Sequence, residues 1–429
     1  MPQIRARFAP SPTGNLHLGG VRTALYNWLF SRQNKGVFIL RIEDTDRERS
    51  KPKFSEQIIK SLQYLGLDYD EGPYYQSQRL DLYNHRVQYL IQTEKAYEKE
   101  GAVYLKTNVT EPVSFHDLIL GSLTVAPKEL MDFVIRKSDG LPVYHFACVV
   151  DDIDMSISHV IRGMDHVSNT ARQILIYRAL HAALPHFAHI PLILGPDKER
   201  LSKRHGAESV NEYEEKGILP DALINFLARC GWGYKNQEIF SRTELIEKFN
   251  LKKVSKNPAI FDFKKMEWTN AQHLRNLPLH SLALLLEKKF NRSLSSYLDP
   301  LQLIQPRAQS LLETWSQLNC FWKDPEQFER KGVARYFSNK LVFQHLLTLA
   351  DNLTELSDFT AASIEQALRQ TALKCNISAG DLIHPTRLAV TGTTVGPSLF
   401  ELLALMEKET VTRRLREMES RLMGKASHA

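Results

Sequence analysis

The chain has 429 residues, 43% hydrophobic and 24% charged, a balance that excludes disordered and fibrous classes and a length that suits roughly two to four domains. Its 55 basic and 49 acidic residues leave a net charge of +6, which permits an anionic partner without demanding one. Four cysteines, Cys148, Cys230, Cys320 and Cys375, form no CxxC pair and no zinc-spaced Cys/His cluster. No apolar run approaches the ~20 residues of a membrane span, and MPQIRARFAP lacks a secretory core. These features predict a reduced, soluble, cytoplasmic protein with no membrane partner.

In chain order, IRARFA alternates like a strand. VRTALYNWLFSRQ carries Val21, Leu25, Trp28 and Leu29 at helical spacing, and Gly36 is read as the end of that helix. VFILRIE reads as a buried strand and FSEQIIKSLQYLGL as a second amphipathic helix. Strand–helix–strand order implies a parallel sheet. Residues ~97–143 read as an inserted module of several short strands. LPVYHFACVVDDIDM reads as β-rich, HVIRGMDHVSN as a strand and loop, TARQILIYRALHAAL as a helix and HIPLILGP as another strand. From ~275 the pattern is helical through HSLALLLEKKF, AQSLLETWSQL, NKLVFQHLLTLADNL, AASIEQALRQTALK and SLFELLALMEKETVTRRLREM.

Two segments carry chemistry. APSPTGNLHLGG, residues 9–20, runs from a strand into a helix. A helix N-terminus offers free N–H groups to a phosphate, Gly19 and Gly20 would let a ligand lie near the backbone, and His17 could donate to a phosphate oxygen. A plain tight turn with a structural histidine explains the same spacing equally well. GPDKERLSKRHGA, residues 195–207, packs Lys198, Arg200, Lys203 and Arg204 beside Ser202. Such a segment can stabilise a leaving polyphosphate, although a lone basic run is more often a solvated loop.

Together the segments resemble the paired signatures of class I aminoacyl-tRNA synthetases. LHLGG looks like the HIGH signature, with Gly20 at its second histidine, and RLSKR looks like KMSKS, with Arg200 for the first lysine and Leu201 for methionine. RFAPSPTGNLHLGGVRTALYNWLF, RIEDTDRERS, LGLDYDEGPYYQSQR, VIRGMDHVSNT, GILPDALINFLARCGW, NPAIFDFKKMEWTN and TGTTVGPSLFELLALMEKE resemble bacterial glutamyl-tRNA synthetases over nearly the whole chain. The glutaminyl enzymes fit less well.

The resemblance implies an α/β fold: a Rossmann-type parallel-sheet catalytic domain in two halves, 1–82 and 144–195, split by a shortened α+β acceptor-end insert, 83–143. A stem-contact region, 196–275, would carry the KMSKS-like loop, and an all-α anticodon-binding region would span 276–429. It implies ATP-dependent ligation of glutamate to the 3′ end of tRNA-Glu through glutamyl-adenylate. His17, Lys203 and Arg200 would be catalytic. Thr13, His17, Gly19, Gly20, Arg200, Leu201, Ser202 and Lys203 would bind ATP, with Mg2+ accompanying the nucleotide. Arg7, Ser11, Glu43, Tyr144 and Arg162 would bind glutamate, the arginines because their planar fork suits a carboxylate. Arg7 lies in a buried strand, so its charge needs a partner, which a ligand carboxylate would supply. Without the resemblance, Glu43, Asp44 and Asp46 read as a solvated acidic turn, and Tyr144 reads equally well as core or as part of a site.

Many relatives carry a zinc-binding cysteine insert where this chain reads AYEKEGAVYLK, so no zinc is expected. The basic tail VTRRLREMESRLMGK reads as a solvated amphipathic helix. The family is usually monomeric. Charging of tRNA-Gln, alone or besides tRNA-Glu, a non-catalytic tRNA-binding paralogue and a small-molecule nucleotidyltransferase are the competing readings.

Overall fold

The computed structural model describes residues 3–46, 48–201 and 209–426. The chain forms two compact units, Met1–Thr269 and Asn270–Ala429.

The first unit opens with β1 (Arg5–Phe8), α1 (Leu18–Gln33), β2 (Val37–Ile42), α2 (Pro52–Leu65), β3 (Glu71–Tyr75) and α3 (Leu80–Gln92). Five short strands follow: β4 (Ala96–Lys99), β5 (Ala102–Leu105), β6 (Val113–Asp117), β7 (Gly121–Val125) and β8 (Phe133–Arg136). Then come α4 (Tyr144–Asp154), β9 (His159–Gly163), α5 (Val167–Ala179) and β10 (His186–Ile190). Short β11 (Ile193–Leu194) pairs with β12 (Ala259–Ile260), and α6 (Val210–Glu215), α7 (Pro220–Arg229) and α8 (Arg242–Lys248) lie between them in sequence. Helix α9 spans Phe263–Asn276.

Seven strands form the main sheet in the order β3-β2-β1-β9-β10-β6-β7. Its pairings are parallel except for the β6–β7 hairpin. Of the segment 83–143, β4, β5 and β8 form a sheet of their own, whereas β6 and β7 extend the main one. The strand order reverses between β1 and β9, which opens a crevice at their carboxyl ends.

Strand alternation explains the two cores. Phe38, Leu40 and Ile42 face a cluster that includes α1, α2 and α7, whereas Ile39 and Val160 face the side of α3, α4 and α5. Arg7 and Arg41 fall on that second face by the same period of two. Helix α1 is buried nearly all round; its Arg22 Nη1 donates to the Cys230 carbonyl at 2.8 Å and its Tyr26 hydroxyl to that of Ala228 at 3.1 Å.

Three expectations need correcting. The stretch 141–155 is mostly the helix α4, not β-rich. Phe146, Val149, Val150 and Ile153 mark one helical stripe, and Cys148 and Asp152, four residues apart, mark another facing the arginines. Helix α1 ends before Gly36, through the left-handed Lys35 (φ 53°). Gly36 is glycine because a Cβ there would come within 2.4 Å of the Ile4 carbonyl oxygen.

The third correction concerns the basic tail. The second unit runs through α10 (Leu279–Phe290), α11 (Leu298–Ile304), α12 (Leu311–Leu318), α13 (Arg330–Tyr336), α14 (Leu341–Thr354), α15 (Ala361–Lys374), α16 (Gly380–Thr391), α17 (Leu399–Ala404), α18 (Lys408–Arg416) and α19 (Met418–Ala426). The tail is not a solvated helix. Arg414 is 1% exposed and donates to the carbonyls of Cys320 (2.7 Å), Val390 (2.8 Å) and Lys323 (3.0 Å). Asp324 takes Arg413, Arg414 and Arg421 together, and these guanidiniums hold its carboxyl well below the usual range.

Candidate active site

The crevice at the β1/β9 switch is a cleft of about 1090 Å³. Arg7, Ser11, Thr13, His17, Gly19, Gly20, Glu43, Tyr144, Arg162, Arg200 and Leu201 all line it. Ser202 and Lys203 lie outside the described residues.

His17 caps α1. Its backbone is extended (φ −86°, ψ 160°), and its Nδ1 accepts the Gly20 N–H at 3.0 Å. An amide can only donate, so in the neutral ring the hydrogen sits on Nε2. Crowding by the cleft walls and the charge of Arg200 lower the pKa of His17, keeping the ring neutral with one N–H free to donate. Gly19 and Gly20 serve this local packing as well as any close approach of ligand. A Cβ on Gly19 would sit 3.1 Å from His17 Nδ1, and one on Gly20 would sit 2.8 Å from Leu16 Cδ1. Exposed Arg200 reaches Asp165 Oδ2 at 3.3 Å, a bond that spans the segments 159–169 and 195–207. A backbone bridge between His17 and Ser209 ties the histidine to the chain just after the basic segment.

The other wall is built from arginines and carboxylates. Arg7 is 3% exposed, and its charge is met within the protein. Nε lies 3.1 Å from Asp152 Oδ1, and Nη2 lies 3.3 Å from Oδ2. The partner expected from a ligand is thus already supplied by α4. Arg41, fully buried, donates to Asp152 Oδ1 (2.7 Å) and to Glu43 Oε1 (3.2 Å). Asp151 is satisfied separately by Gln76 (2.8 Å), Tyr83 (2.9 Å) and Arg79 (2.8 Å). The two arginines hold Asp152 below the usual carboxylate range, whereas burial pushes Glu43 upward against their pull. Glu43 is therefore no solvated turn residue. Asp44 is structural too, accepting the Ser77 N–H (2.8 Å) and hydroxyl (2.6 Å).

Half-buried Tyr144 opens α4 and contacts His166 Nδ1 through its hydroxyl at 3.1 Å. Arg162 ends β9. Its Nη2 donates to Thr170 Oγ1 (2.9 Å) and Gln173 Oε1 (2.7 Å), and its Nε to His189 Nε2 (3.2 Å). Its Nη1 is buried without a hydrogen-bond partner among the described residues. A buried guanidinium N–H left in this state favours an incoming acceptor.

Asp152, Arg41, Asp117 and His189 were not singled out in the sequence. The Asp151–Asp152 pair inside an apolar stretch was the available signal, hidden by the β reading of 141–155.

Known proteins show the same arrangement of parts. The catalytic domain of the class I tRNA synthetases (E and Q) matches residues 3–102 and 98–268, and an anticodon binding domain matches 258–418. A glutamate–tRNA ligase 1 of Syntrophomonas wolfei is 40% identical, covering 97% of this chain and 96% of its own. A glutamate–tRNA ligase of Moorella thermoacetica is 40% identical over 97% and 98%. The crystal structure of a glutamate tRNA ligase from Elizabethkingia meningosepticum in complex with its amino acid superposes with a TM-score of 0.84 at 31% identity, covering 97% of this chain and 99% of that one. With its switch-point cleft, its histidine-capped helix and its helical second unit, the chain belongs to the class I aminoacyl-tRNA synthetases, in the glutamate–tRNA ligase family.

Proposed function

We propose that this cleft activates glutamate and that the second unit engages tRNA. The enzyme ligates glutamate to tRNA with ATP: the amino acid's α-carboxylate attacks the α-phosphorus and pyrophosphate leaves, then a ribose hydroxyl of the terminal adenosine of tRNA attacks the activated carbonyl and AMP leaves. Such a reaction needs positioning and charge stabilisation more than covalent help. His17 Nε2–H and the α1 N-terminus would face the phosphates, with Arg200 and Lys203 on the leaving pyrophosphate. Arg7 and Arg162 would hold carboxylate, Glu43 the ammonium, and Tyr144 and Ser11 the remaining polar edge.

The observation that carries this reading is the lodging of the phosphate-side and carboxylate-side groups in one cleft, with Arg162 Nη1 awaiting an acceptor. Among the described residues, no group of three or more His, Cys, Asp or Glu side chains is placed to hold a metal ion. A Mg2+ arriving with ATP would be held by phosphates and water, as is usual for that ion. A monomer is the reading that the family resemblance favours. Among the described residues no helix is long and apolar enough to cross a membrane, and the tRNA and ATP substrates support a cytoplasmic setting.

In the second unit, Arg387 is 8% exposed and lines a smaller cavity of about 420 Å³, again with Nη1 unpartnered among the described residues. A cation of this kind suits an RNA base edge or phosphate. The test is charging of purified tRNA-Glu and tRNA-Gln with labelled glutamate and ATP. Glutamylation of tRNA-Glu, lost on Lys203→Ala, is expected. Absence of charging on both RNAs overturns the reading.

A further inference from the structure

Strands β9, β10 and β6 lie side by side, and a polar chain crosses all three. Arg162 on β9 is the register partner of His189 on β10. On β6, Asp117 is the register partner of Phe187, two residues before His189 on the same strand. His189 Nδ1 lies 2.6 Å from Asp117 Oδ2, and the His189 N–H reaches the same oxygen at 3.0 Å. Asp117 Oδ1 accepts the N–H groups of Ile119 (2.9 Å) and Leu120 (2.8 Å), so the carboxylate cannot swing away. Asp117, His189 and Arg162 are 1%, 0% and 5% exposed.

The hydrogen positions follow from the partners. A carboxylate facing Nδ1 requires a hydrogen there, so the neutral ring presents a lone pair at Nε2, which accepts Arg162 Nε–H at 3.2 Å. Thr170 Oγ1, 3.0 Å from the same Nε2, also accepts from Arg162 Nη2. Gln173 closes the other side. Arg162 is therefore gripped at Nε and Nη2, which leaves Nη1 for the cleft. Asp117 belongs to a strand with no place in the β1-to-β3 half of the sheet, yet it ends at the substrate arginine.

We propose that Asp117 and His189 are positioning residues that set the aim of Arg162 on the substrate carboxylate, and so the selection of glutamate over its amide. This rests on the assignment of Arg162 to the amino-acid site. A carboxylate only accepts hydrogen bonds, whereas a carboxamide also donates. A rigidly held donor penalises the amide, and a loosened one loses that penalty.

Asp117→Asn keeps the Oδ1 bonds to the loop while turning an amide toward His189. The ring must then accept at Nδ1 and carry its hydrogen at Nε2, donor against donor at Arg162. His189→Leu removes the acceptor, and His189→Gln restores one without the aspartate's hold. The experiment measures tRNA-dependent ATP–pyrophosphate exchange and charging with the full chain, with separate KM values for glutamate and ATP and a comparison of glutamine as substrate.

The expected result is a glutamate KM raised on the order of ten- to a hundred-fold in Asp117→Asn and His189→Leu, less in His189→Gln, with ATP KM unchanged and glutamine discriminated less. Where Asp117→Asn fails to fold, the order of the two His189 variants carries the test. Equal rises in both KM values overturn the proposal in favour of a merely structural role. An unchanged glutamate KM in these variants, with a raised one in Arg162→Lys, overturns the positioning role alone. An unchanged glutamate KM in Arg162→Lys itself removes Arg162 from the amino-acid site and takes the proposal with it.

Discussion

His17 Nδ1 and the Gly20 amide share a hydrogen bond of 3.0 Å. The signature histidine thus acts at both ends of its ring, capping α1 through one nitrogen and presenting N–H to the cleft through the other.

The two roles separate by mutation. Asparagine is a good N-cap and alanine a poor one, a difference of about 1 kcal/mol. His17→Asn should keep the melting temperature near wild type while the rate of adenylate formation falls on the order of 10²–10³. His17→Ala should lose both. Calorimetry and single-turnover adenylate formation measure the two effects, and an active His17→Asn enzyme would contradict the donor role.

The neighbouring glycines differ in what they protect. Gly19→Ala presses a methyl to 3.1 Å from the His17 ring, so it should depress turnover more than stability. Gly20→Ala meets buried Leu16 at 2.8 Å and should destabilise the fold by an amount typical of overpacking, about 1–3 kcal/mol, seen as a lower melting temperature. Paired kinetic and thermal measurements on the two variants check the contrast.

Asp152 neutralises Arg7 and Arg41 in a site almost closed to water. Asp152→Ala strands the buried Arg7 guanidinium and leaves Arg41 with Glu43 and the more distant Asp151, and removing one partner of a buried pair costs about 3–5 kcal/mol. Urea denaturation should show a loss of that order, accompanied by a raised glutamate KM. A loss below ~1 kcal/mol would mean that the pair is solvated in solution.

Histidine protonation sets the acid limb of stability. Burial pushes His145, His159 and His166 down to about 4, helped by Arg172 and Arg162 for His145, by His186 for His159 and by Arg162 for His166. Folded values below the ordinary ~6.5 mean that the unfolded chain takes up protons first. The stabilisation is complete above ~6.5 and is lost as the pH falls toward 4. The depressed carboxylates, such as Asp152, add their own loss only at lower pH. The urea midpoint should drop between pH 7.5 and pH 5, and His159→Phe should shrink the drop.

Arg387 offers a test confined to the second unit. Arg387→Gln should raise the KM for tRNA several-fold and steepen no other constant. Gly396→Ala, whose methyl would lie 2.9 Å from Arg387 Nη1, should act in the same direction more weakly. Charging rates over a range of tRNA concentrations measure both.

Part of this candidate site was readable in order along the chain, because the cleft wall at the start of α1 is local. His17, Gly19 and Gly20 occupy one strand-to-helix turn, and cap chemistry depends on residues within one turn of each other. The carboxylate side was readable only as a set of types. The partner of Arg7 lies 145 residues away, on a stretch whose run of Val149, Val150 and apolar neighbours imitates a strand. Period alone does not separate a short buried helix from a buried strand. The tail was read rightly as helix but wrongly as solvated, because the partners of its arginines are distant in sequence. Nothing near Arg414 in sequence announces Asp324, 90 positions earlier.

The membership of β6 in the main sheet divides the segment 83–143 into two parts with different tolerance for change. Strands β4, β5 and β8 pair only with one another, so the loops joining them give an engineer latitude, while their Ala96, Val103, Leu105 and Ile135 must stay to fill the core shared with α3 and α4. Excising 113–125 would instead bare the backbone of β10 as a raw edge, an invitation to aggregation.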